Sequence, residues 1–131
     1  MTRELHSSFF RFALSGVAGF VVDASIVWAL TRLSIDAIWA QAVAFSVAVT
    51  ATWWLNRKYT FSHLADHRFF REWLRYIFAN SVGAIVNNGI YVILVVSVSV
   101  MTQHPVFAVA VGSLGGLAFN FTASRVLVFR R

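Results

Sequence analysis

Asp23 is the residue of this sequence best suited to chemistry, because its carboxylate interrupts the apolar run 12–30. If that run crosses a membrane, the ionised side chain costs about 2.5–3.5 kcal/mol on insertion scales, and such residues face a protein interior and usually serve a function. Asp23 can be protonated, pair with a cation, bind substrate hydroxyls or couple a proton. The structural alternative is a packing hydrogen bond to Asn87, Asn88 or Thr52.

Asparagine amides supply the other polar side chains within the apolar runs. Amides with few charges suit a polar, hydroxyl-rich ligand better than a metal ion. His63 and His67 form a pair without a third ligand, and no other His, Cys or carboxylate cluster has metal-ligand spacing. We therefore predict no metal and no cofactor. The predicted polar interior consists of Asp23, Asn80, Asn87, Asn88 and Asn120.

Basic residues end the apolar runs on one side of the predicted bundle. Topology and lipid anchoring explain most of them. They can also form a phosphate clamp, because the planar guanidinium of arginine matches the geometry of phosphate oxygens. The set predicted to hold a lipid phosphate, at the mouth of the polar interior, is Arg11, Asn56, Arg57, Lys58, Arg75 and Arg125.

The composition indicates that the solvent of this chain is lipid. Hydrophobic residues make up 59% of the 131 residues and charged residues 12%, whereas soluble domains carry about 25% charged residues. A chain this short has too much surface to bury so much apolar material in water. The formal net charge of +6 is spread between and beside the apolar runs, which does not resemble a nucleic-acid-binding face. Anionic phospholipid headgroups are the expected partner.

Four apolar runs determine the predicted architecture. Each has about the 20 residues needed to cross the hydrocarbon core, and backbone pairing in lipid requires that they be helices. The prediction is an all-α membrane protein, a single domain over 1–131 with transmembrane helices at 12–30, 38–55, 77–100 and 106–123. Aromatic and charged residues on opposite faces of 67–75 predict a short interfacial helix there, and an ordinary basic loop is the alternative.

The distribution of Lys and Arg predicts the orientation. Ten of the eleven basic residues precede the first run, lie between the second and third, or follow the fourth, and only Arg32 lies on the other side. The positive-inside rule places the ten in the cytoplasm. Both termini are therefore predicted to be cytoplasmic.

The sequence also contains an internal repeat of a helical hairpin. Matched pairs at an offset of 64 are Arg11–Arg75, Gly19–Gly83 and Asp23–Asn87, and those at an offset of 68 are Arg57–Arg125 and Phe61–Phe129. Both copies begin and end on the cytoplasmic side, so the predicted bundle consists of two parallel hairpin repeats. Transporters often bind substrate at a repeat interface, and small residues at a spacing of four predict close helix packing.

No catalytic constellation is visible in the sequence. It has no Ser/His/Asp set with plausible proximity, no glycine-rich phosphate loop and no soluble domain that would hold a nucleotide. The predicted activity is therefore binding and movement of a ligand, not enzymatic chemistry.

Several short motifs resemble the GtrA-like family in their order and spacing, over nearly the whole chain. They are Arg11-Phe12, then Gly16, Gly19 and Asp23, then Asn56-Arg57-Lys58-Tyr59-Thr60-Phe61, then Arg75-Tyr76, then Arg125-Val126-Leu127-Val128-Phe129. The Asn-Arg-x-x-Thr-Phe hexad is the most specific of them. The second copy has Ser124 in place of the asparagine, so a pseudo-symmetric site would be uneven.

The resemblance implies four transmembrane helices and a role with polyprenyl-phosphate-linked sugars. It implies that the chain is a flippase for such a lipid, for example a sugar linked to undecaprenyl phosphate. The lipid would cross the bacterial inner (cytoplasmic) membrane for the synthesis of O-antigen, teichoic acid or arabinan. A sugar would then occupy the polar interior and the phosphate the basic mouth. Since four helices enclose little volume, we expect a homodimer or contact with a membrane glycosyltransferase.

Two other functions are compatible with the sequence. The first is a non-transporting membrane partner that recruits or regulates a polyprenyl-phosphate glycosyltransferase. The second is a proton-coupled exporter of cationic drugs, which also uses four helices and a buried carboxylate. The basic mouth disfavours the exporter.

Overall fold

Five α-helices and three short helical turns make up the described chain. The computed structural model describes residues 2–129, and no strand occurs among them. The α-helices are α1 (Thr2–Arg32), α2 (Ala37–Leu55), α3 (Phe69–Ser97), α4 (Ser99–Gln103) and α5 (Pro105–Ala123). Two π-helical turns, Asn56–Thr60 and Ser124–Val128, continue α2 and α5, and a 3₁₀ turn follows the first of them at Ser62–Leu64.

Four helical segments are long and apolar enough to cross a membrane. They are Arg3–Arg32, Ala37–Thr60, Phe69–Ser97 and Pro105–Val128. Each has more than the roughly 20 residues that a bilayer requires. The prediction of an all-α membrane protein with four spans is confirmed.

The long helices pair as two hairpins, α1 with α2 and α3 with α5. In each hairpin the first helix begins where the second ends. There, a guanidinium N–H of Arg11 donates to the carbonyl oxygen of Tyr59 at 3.2 Å, and one of Arg75 donates to that of Val128 at 2.9 Å. We call this the basic end. Arg32 lies at the opposite end, over the Trp28 ring. The orientation argument also counted Arg130 and Arg131, which lie outside the described residues.

The two π-helical turns are built alike although they lie 68 residues apart. The Phe61 N–H donates to the Asn56 carbonyl at 2.7 Å, and the Phe129 N–H donates to the Ser124 carbonyl at 2.8 Å. Phe61 and Phe129 are both fully buried, and their rings stack with centroids 5.1 Å apart. The two hairpins therefore contact each other through equivalent residues at the basic end.

The segment predicted as an interfacial helix over 67–75 is helical from Phe69 onward and forms the first turns of α3. α3 begins at Phe69 and continues without a break to Ser97. Neither glycine nor proline occurs between residues 69 and 82, so nothing in the backbone separates the amphipathic segment from the apolar one. For the same reason α1 begins at Thr2 and not near residue 12.

Hydrogen bonds of Asp66 hold the connection between α2 and α3 at the basic end. Its carboxylate accepts the Arg68 backbone N–H at 3.0 Å and an N–H of the Arg75 guanidinium at 3.2 Å. These two partners, the backbone amide first, lower the pKa of Asp66 below its ordinary value. The stability that they contribute is present at neutral pH and is lost as the pH falls through the lowered pKa.

Glycines allow the helices of each hairpin to approach closely. A Cβ added at Gly112 of α5 would lie 2.8 Å from the backbone oxygen of Asn87 in α3. Gly19 faces Thr52 in the first hairpin, and Gly83 faces Asn120 in the second. These two contacts join residues that are equivalent in the predicted repeat.

Gly112→Ala is expected to destabilise the protein by about 1–3 kcal/mol, because the added methyl group meets backbone that cannot move aside. The measurement is the free energy of unfolding in mixed micelles titrated with dodecyl sulfate. Gly89→Ala is the control, since a Cβ at Gly89 meets no atom within 4 Å. Equal stability of the two variants would contradict this account of α3–α5 packing.

Candidate functional site

A crevice of about 280 Å³ lies between the two hairpins. All four long helices line it, and its wall is apolar except for a few side chains. The polar lining residues are Asp23, Thr52, Asn56, Tyr76, Asn80 and Asn120. Because α1 turns by about 100° per residue, Gly16, Gly19 and Asp23 lie on one face of it, and all three line the crevice.

A buried hydrogen-bond network forms the floor of the crevice near the basic end. The Asn56 amide donates to the Tyr76 hydroxyl at 3.0 Å, and its oxygen accepts the Thr60 hydroxyl at 3.0 Å. Asn56 is 1% exposed and Tyr76 is also 1% exposed. The Asn80 amide donates to the Tyr76 carbonyl at 3.0 Å. Asn56 therefore binds neighbouring side chains and holds the π-helical turn against α3, whereas the sequence predicted that it binds phosphate.

Asp23 reaches the crevice from α1 and has one hydrogen-bond partner among the described residues. Its Oδ1 atom accepts the Gln41 amide of α2 at 3.2 Å. The predicted alternative partners Asn87, Asn88 and Thr52 are not bonded to it, and none of the arginines and lysines within residues 2–129 pairs with it. Its second oxygen is therefore available to accept a hydrogen bond from a ligand.

Asn120 supplies a second unused acceptor. Its Oδ1 atom is buried and has no hydrogen-bond partner among residues 2–129. A buried polar atom left unpaired costs about 1–3 kcal/mol. Asn120 lines the crevice together with Asn80, but its Oδ1 atom faces Gly83 of α3.

Asn87 and Asn88 lie outside the crevice, contrary to the prediction. Asn87 packs between α3 and α5, against Gly112 and Gly116. Asn88 is exposed on the outer face of α3, where its amide donates to the Ala84 carbonyl at 2.8 Å. At about 100° per residue, Asn87 returns to within roughly 20° of the face that carries Asn80, so it lies two turns further along α3, where the glycines of α5 pack against it. Asn88 is rotated from that face by about 80° and points outward.

An aromatic cluster separates the crevice from the basic end. Phe12 lines the crevice and lies 5.6 Å from Phe121 and 6.2 Å from Phe61, ring centroid to ring centroid. Phe61 in turn stacks on Phe129, which contacts Tyr76 at 6.0 Å. All five are buried. The predicted ring of cations therefore does not form an open mouth of the crevice, because these aromatic rings occupy that position.

Arg57 is part of a buried ion pair with Glu72. The two side chains approach to 2.6 Å and are 14% and 0% exposed. Glu72 also accepts the Trp53 indole N–H at 3.0 Å and the Asp66 backbone N–H at 2.6 Å. The Arg57 guanidinium additionally donates to the Asp66 carbonyl at 2.8 Å. The structure therefore gives Arg57 a role in holding the basic end together, and its role as a phosphate ligand stays a prediction.

The other predicted phosphate ligands divide into two groups. Arg75 is held by Asp66 and by the Val128 carbonyl, and Lys58 is exposed beside the Tyr59 ring. Arg11 and Arg125, in contrast, line a second cavity at the basic end. The structure thus brings two of the six predicted residues together around a common space.

Sequence reasoning missed the partners of the charged residues. The sequence places Glu72 among the charged residues of the predicted interfacial helix and gives no sign of its partners. Gln41 does carry a signal, because a glutamine within an apolar run is as unusual as the asparagines. The structure makes Glu72 the centre of the basic end and Gln41 the partner of Asp23. Among the described residues no group of three His, Cys, Asp or Glu could hold a metal ion.

Comparison with known families agrees with the architecture. The family model described as "GtrA/DPMS, transmembrane domain" matches residues 11–129. No curated protein matches the chain. The match covers all four spans and the Asn-Arg-x-x-Thr-Phe hexad, so the resemblance found in the sequence is confirmed. The chain belongs to the GtrA/DPMS transmembrane-domain family and is a multi-pass membrane protein of a family tied to the handling of polyprenyl-phosphate-linked sugars.

Proposed function

We propose that this protein translocates a polyprenyl-phosphate-linked monosaccharide across the bacterial cytoplasmic membrane, for the synthesis of a cell-surface polysaccharide or for glycosylation. The observation that carries the proposal is the crevice between the hairpins, which lies at membrane depth and is lined by polar side chains, among them Asp23 with one carboxylate oxygen unused. Sugar hydroxyls cannot cross hydrocarbon without losing their hydrogen bonds to water, which costs several kcal/mol per group. Side chains that replace water lower that barrier.

The crevice suits one sugar ring. Its volume of about 280 Å³ lies just below the roughly 300–1,000 Å³ typical of small-molecule sites, so it favours a monosaccharide over an oligosaccharide. Asp23, Asn80 and Asn120 supply acceptors and donors, and Phe12 and Phe20 supply apolar wall. Before translocation, the prenyl tail lies in lipid beside the hairpins and the phosphate lies at the basic end, on the cytoplasmic side. The phosphate leaves that end when the lipid crosses.

Separation of the two hairpins at the basic end would connect the crevice to the cytoplasm. In the present arrangement the Phe61–Phe129 stack closes that route. Translocation then requires that this stack open and close while each hairpin keeps its own tight packing. The extensive contacts within the hairpins and the few between α1 and α5 are compatible with such a motion.

Reconstituted vesicles test the proposal. Purified protein in vesicles is expected to make the inner-leaflet pool of a short-chain polyprenyl-phosphate sugar accessible to a membrane-impermeant reagent outside. A wild-type rate no higher than that of protein-free vesicles, together with retained binding to a membrane glycosyltransferase, would favour the non-transporting partner instead.

Asp23→Asn is expected to lower the translocation rate by roughly ten- to hundredfold, the effect of losing one hydrogen bond to a charged group. The substitution retains the size of the side chain and one acceptor for Gln41. Asn88→Leu is the matched control, because Asn88 faces outward from α3, and it should translocate like wild type. A normal rate in Asp23→Asn, or a loss in Asn88→Leu, would contradict the placement of the sugar.

A further inference from the structure

The basic end contains a second cavity of about 410 Å³. The first turns of α1 form one wall, the residues that follow α2 form another, and the second π-helical turn completes it. The charged lining residues are Arg3, Glu4, Arg11 and Arg125, and the other lining residues are Ser7, Ser8, Thr60, Ser62 and His63.

The cavity holds an excess of positive charge that no ion pair among the described residues neutralises. Three arginines and one glutamate line it, and none of these arginines forms an ion pair within residues 2–129. Arg57 and Arg75, outside the cavity, are paired with Glu72 and Asp66. The structure thus neutralises the arginines that hold the basic end together and leaves unpaired those that face this cavity.

Hydrogen-bond donors in the cavity are also unused. Arg11 donates one N–H to the Tyr59 carbonyl, which leaves four of the five donors of its guanidinium. The hydroxyl groups of Ser7, Ser8 and Ser62 form no hydrogen bond within the described chain. Guanidinium and hydroxyl donors around a positive cavity are the groups that bind phosphate oxygens.

The position of the cavity suits a phosphate that is attached to a lipid. α1 has 31 residues and is therefore about 46 Å long, against roughly 30 Å for the hydrocarbon core. Its first turns thus extend into the headgroup region. Phe9 and Phe10, next to Arg11, are exposed and provide an apolar surface for the adjoining chain.

The cavity adjoins the crevice: neighbouring residues of α1 line one and the other, and a hydrogen bond joins a cavity residue to a crevice residue. Arg11 lines the cavity and Phe12 lines the crevice. Thr60 of the cavity donates to Asn56 of the crevice at 3.0 Å. A lipid phosphate in the cavity would therefore lie one residue layer from a sugar in the crevice.

We propose that this cavity is a binding site for a lipid-borne phosphate group, held by Arg3, Arg11 and Arg125 and by the hydroxyls of Ser7, Ser8 and Ser62. The proposal rests on the proposed function for the identity of the lipid, since a prenyl phosphate or a membrane phospholipid carries the same group. It replaces the predicted set of ligands at the crevice mouth with residues that are mostly different.

The test measures binding of farnesyl phosphate to the full chain in phosphatidylcholine nanodiscs, with farnesol as the phosphate-free probe. Wild type should prefer farnesyl phosphate. The pair Arg3→Gln with Arg125→Gln should weaken that binding by about tenfold for each arginine and leave farnesol binding unchanged. The control pair is Arg68→Gln with Arg71→Gln, which removes the same charge from exposed side chains at the same end. Equal weakening in both pairs, or in neither, would overturn the site.

Competition with phosphatidic acid identifies the lipid. If farnesyl phosphate stays bound in the presence of equimolar phosphatidic acid, the site belongs to prenyl phosphate. If it is displaced, the site belongs to membrane phospholipid, and in both cases the cavity is a lipid-phosphate site. Because binding is measured without translocation, a chain that binds farnesyl phosphate but does not translocate would refute the proposed function and leave the site intact.

Discussion

Glu72→Gln is expected to destabilise the protein by about 3–5 kcal/mol, the cost of removing one partner from a buried ion pair. Glu72 is fully buried, and its two oxygens accept three hydrogen bonds, from Trp53, Arg57 and the Asp66 backbone. A glutamine can accept at only one of those two atoms, so its NH₂ group must face another donor. Arg57 is left without a counter-charge. The measurement is again unfolding by dodecyl sulfate in mixed micelles.

Asp36→Asn is the control for this prediction. Asp36 precedes α2, is exposed, and makes no capping hydrogen bond, so the loss of its charge should change the stability by less than about 0.5 kcal/mol. If Glu72→Gln were as stable as Asp36→Asn, the buried ion pair would not be the main support of the basic end.

A double substitution separates folding from function at this pair. Replacing both charges, with Arg57→Met and Glu72→Met, should recover part of the lost stability, because apolar side chains of similar size often replace buried ion pairs without net cost. The N–H groups of Trp53 and Asp66 still lose their acceptor, so the recovery is incomplete. A folded double variant that translocates would show that Arg57 is not a substrate ligand. A folded double variant that does not translocate would return Arg57 to the set of substrate-binding residues.

Gly16→Leu is expected to reduce translocation to the rate of protein-free vesicles without loss of folded protein. Gly16 lines the crevice, and a Cβ added there meets no atom within 4 Å. The leucine side chain would therefore enter the crevice and occupy the space of the sugar without disturbing helix packing. Leucine is also a better helix former than glycine, by up to about 1 kcal/mol.

Gly89→Leu is the matched control for the crevice. It is the same substitution at another glycine whose added Cβ meets no atom within 4 Å, but Gly89 lies with Asn88 and Ile93 outside the crevice. Its translocation rate should equal that of wild type. If Gly16→Leu translocated as fast as Gly89→Leu, the sugar would not pass through the crevice.

The spans and several crevice residues could be predicted from the sequence because the forces that place them act locally. A helix crosses the hydrocarbon core only if about 20 consecutive residues are mostly apolar, so the length of an apolar run identifies a span. Helical periodicity then puts Gly16, Gly19 and Asp23 on one face, and that face lines the crevice. The hexad 56–61 was also recognisable as a family motif. Its π-helical turn was not predictable, since a π-helical turn depends on what its extra residue packs against.

Tertiary structure alone decided how the charges are used. Arg57 and Arg125 are equivalent in sequence, yet only Arg57 faces a buried glutamate, which comes from a different helix 15 residues later. Similarly, Asn80 lines the crevice whereas Asn88 is exposed on the outer face of α3. Arg3 joins Arg125 in one cavity because α1 begins at Thr2 and therefore includes Arg3. The sequence by itself thus determined that the chain spans a membrane four times with its cations at one end. Which cations are neutralised and which remain available depended on contacts between segments far apart in the chain, because ion pairing is set by distance in space and not by residue type.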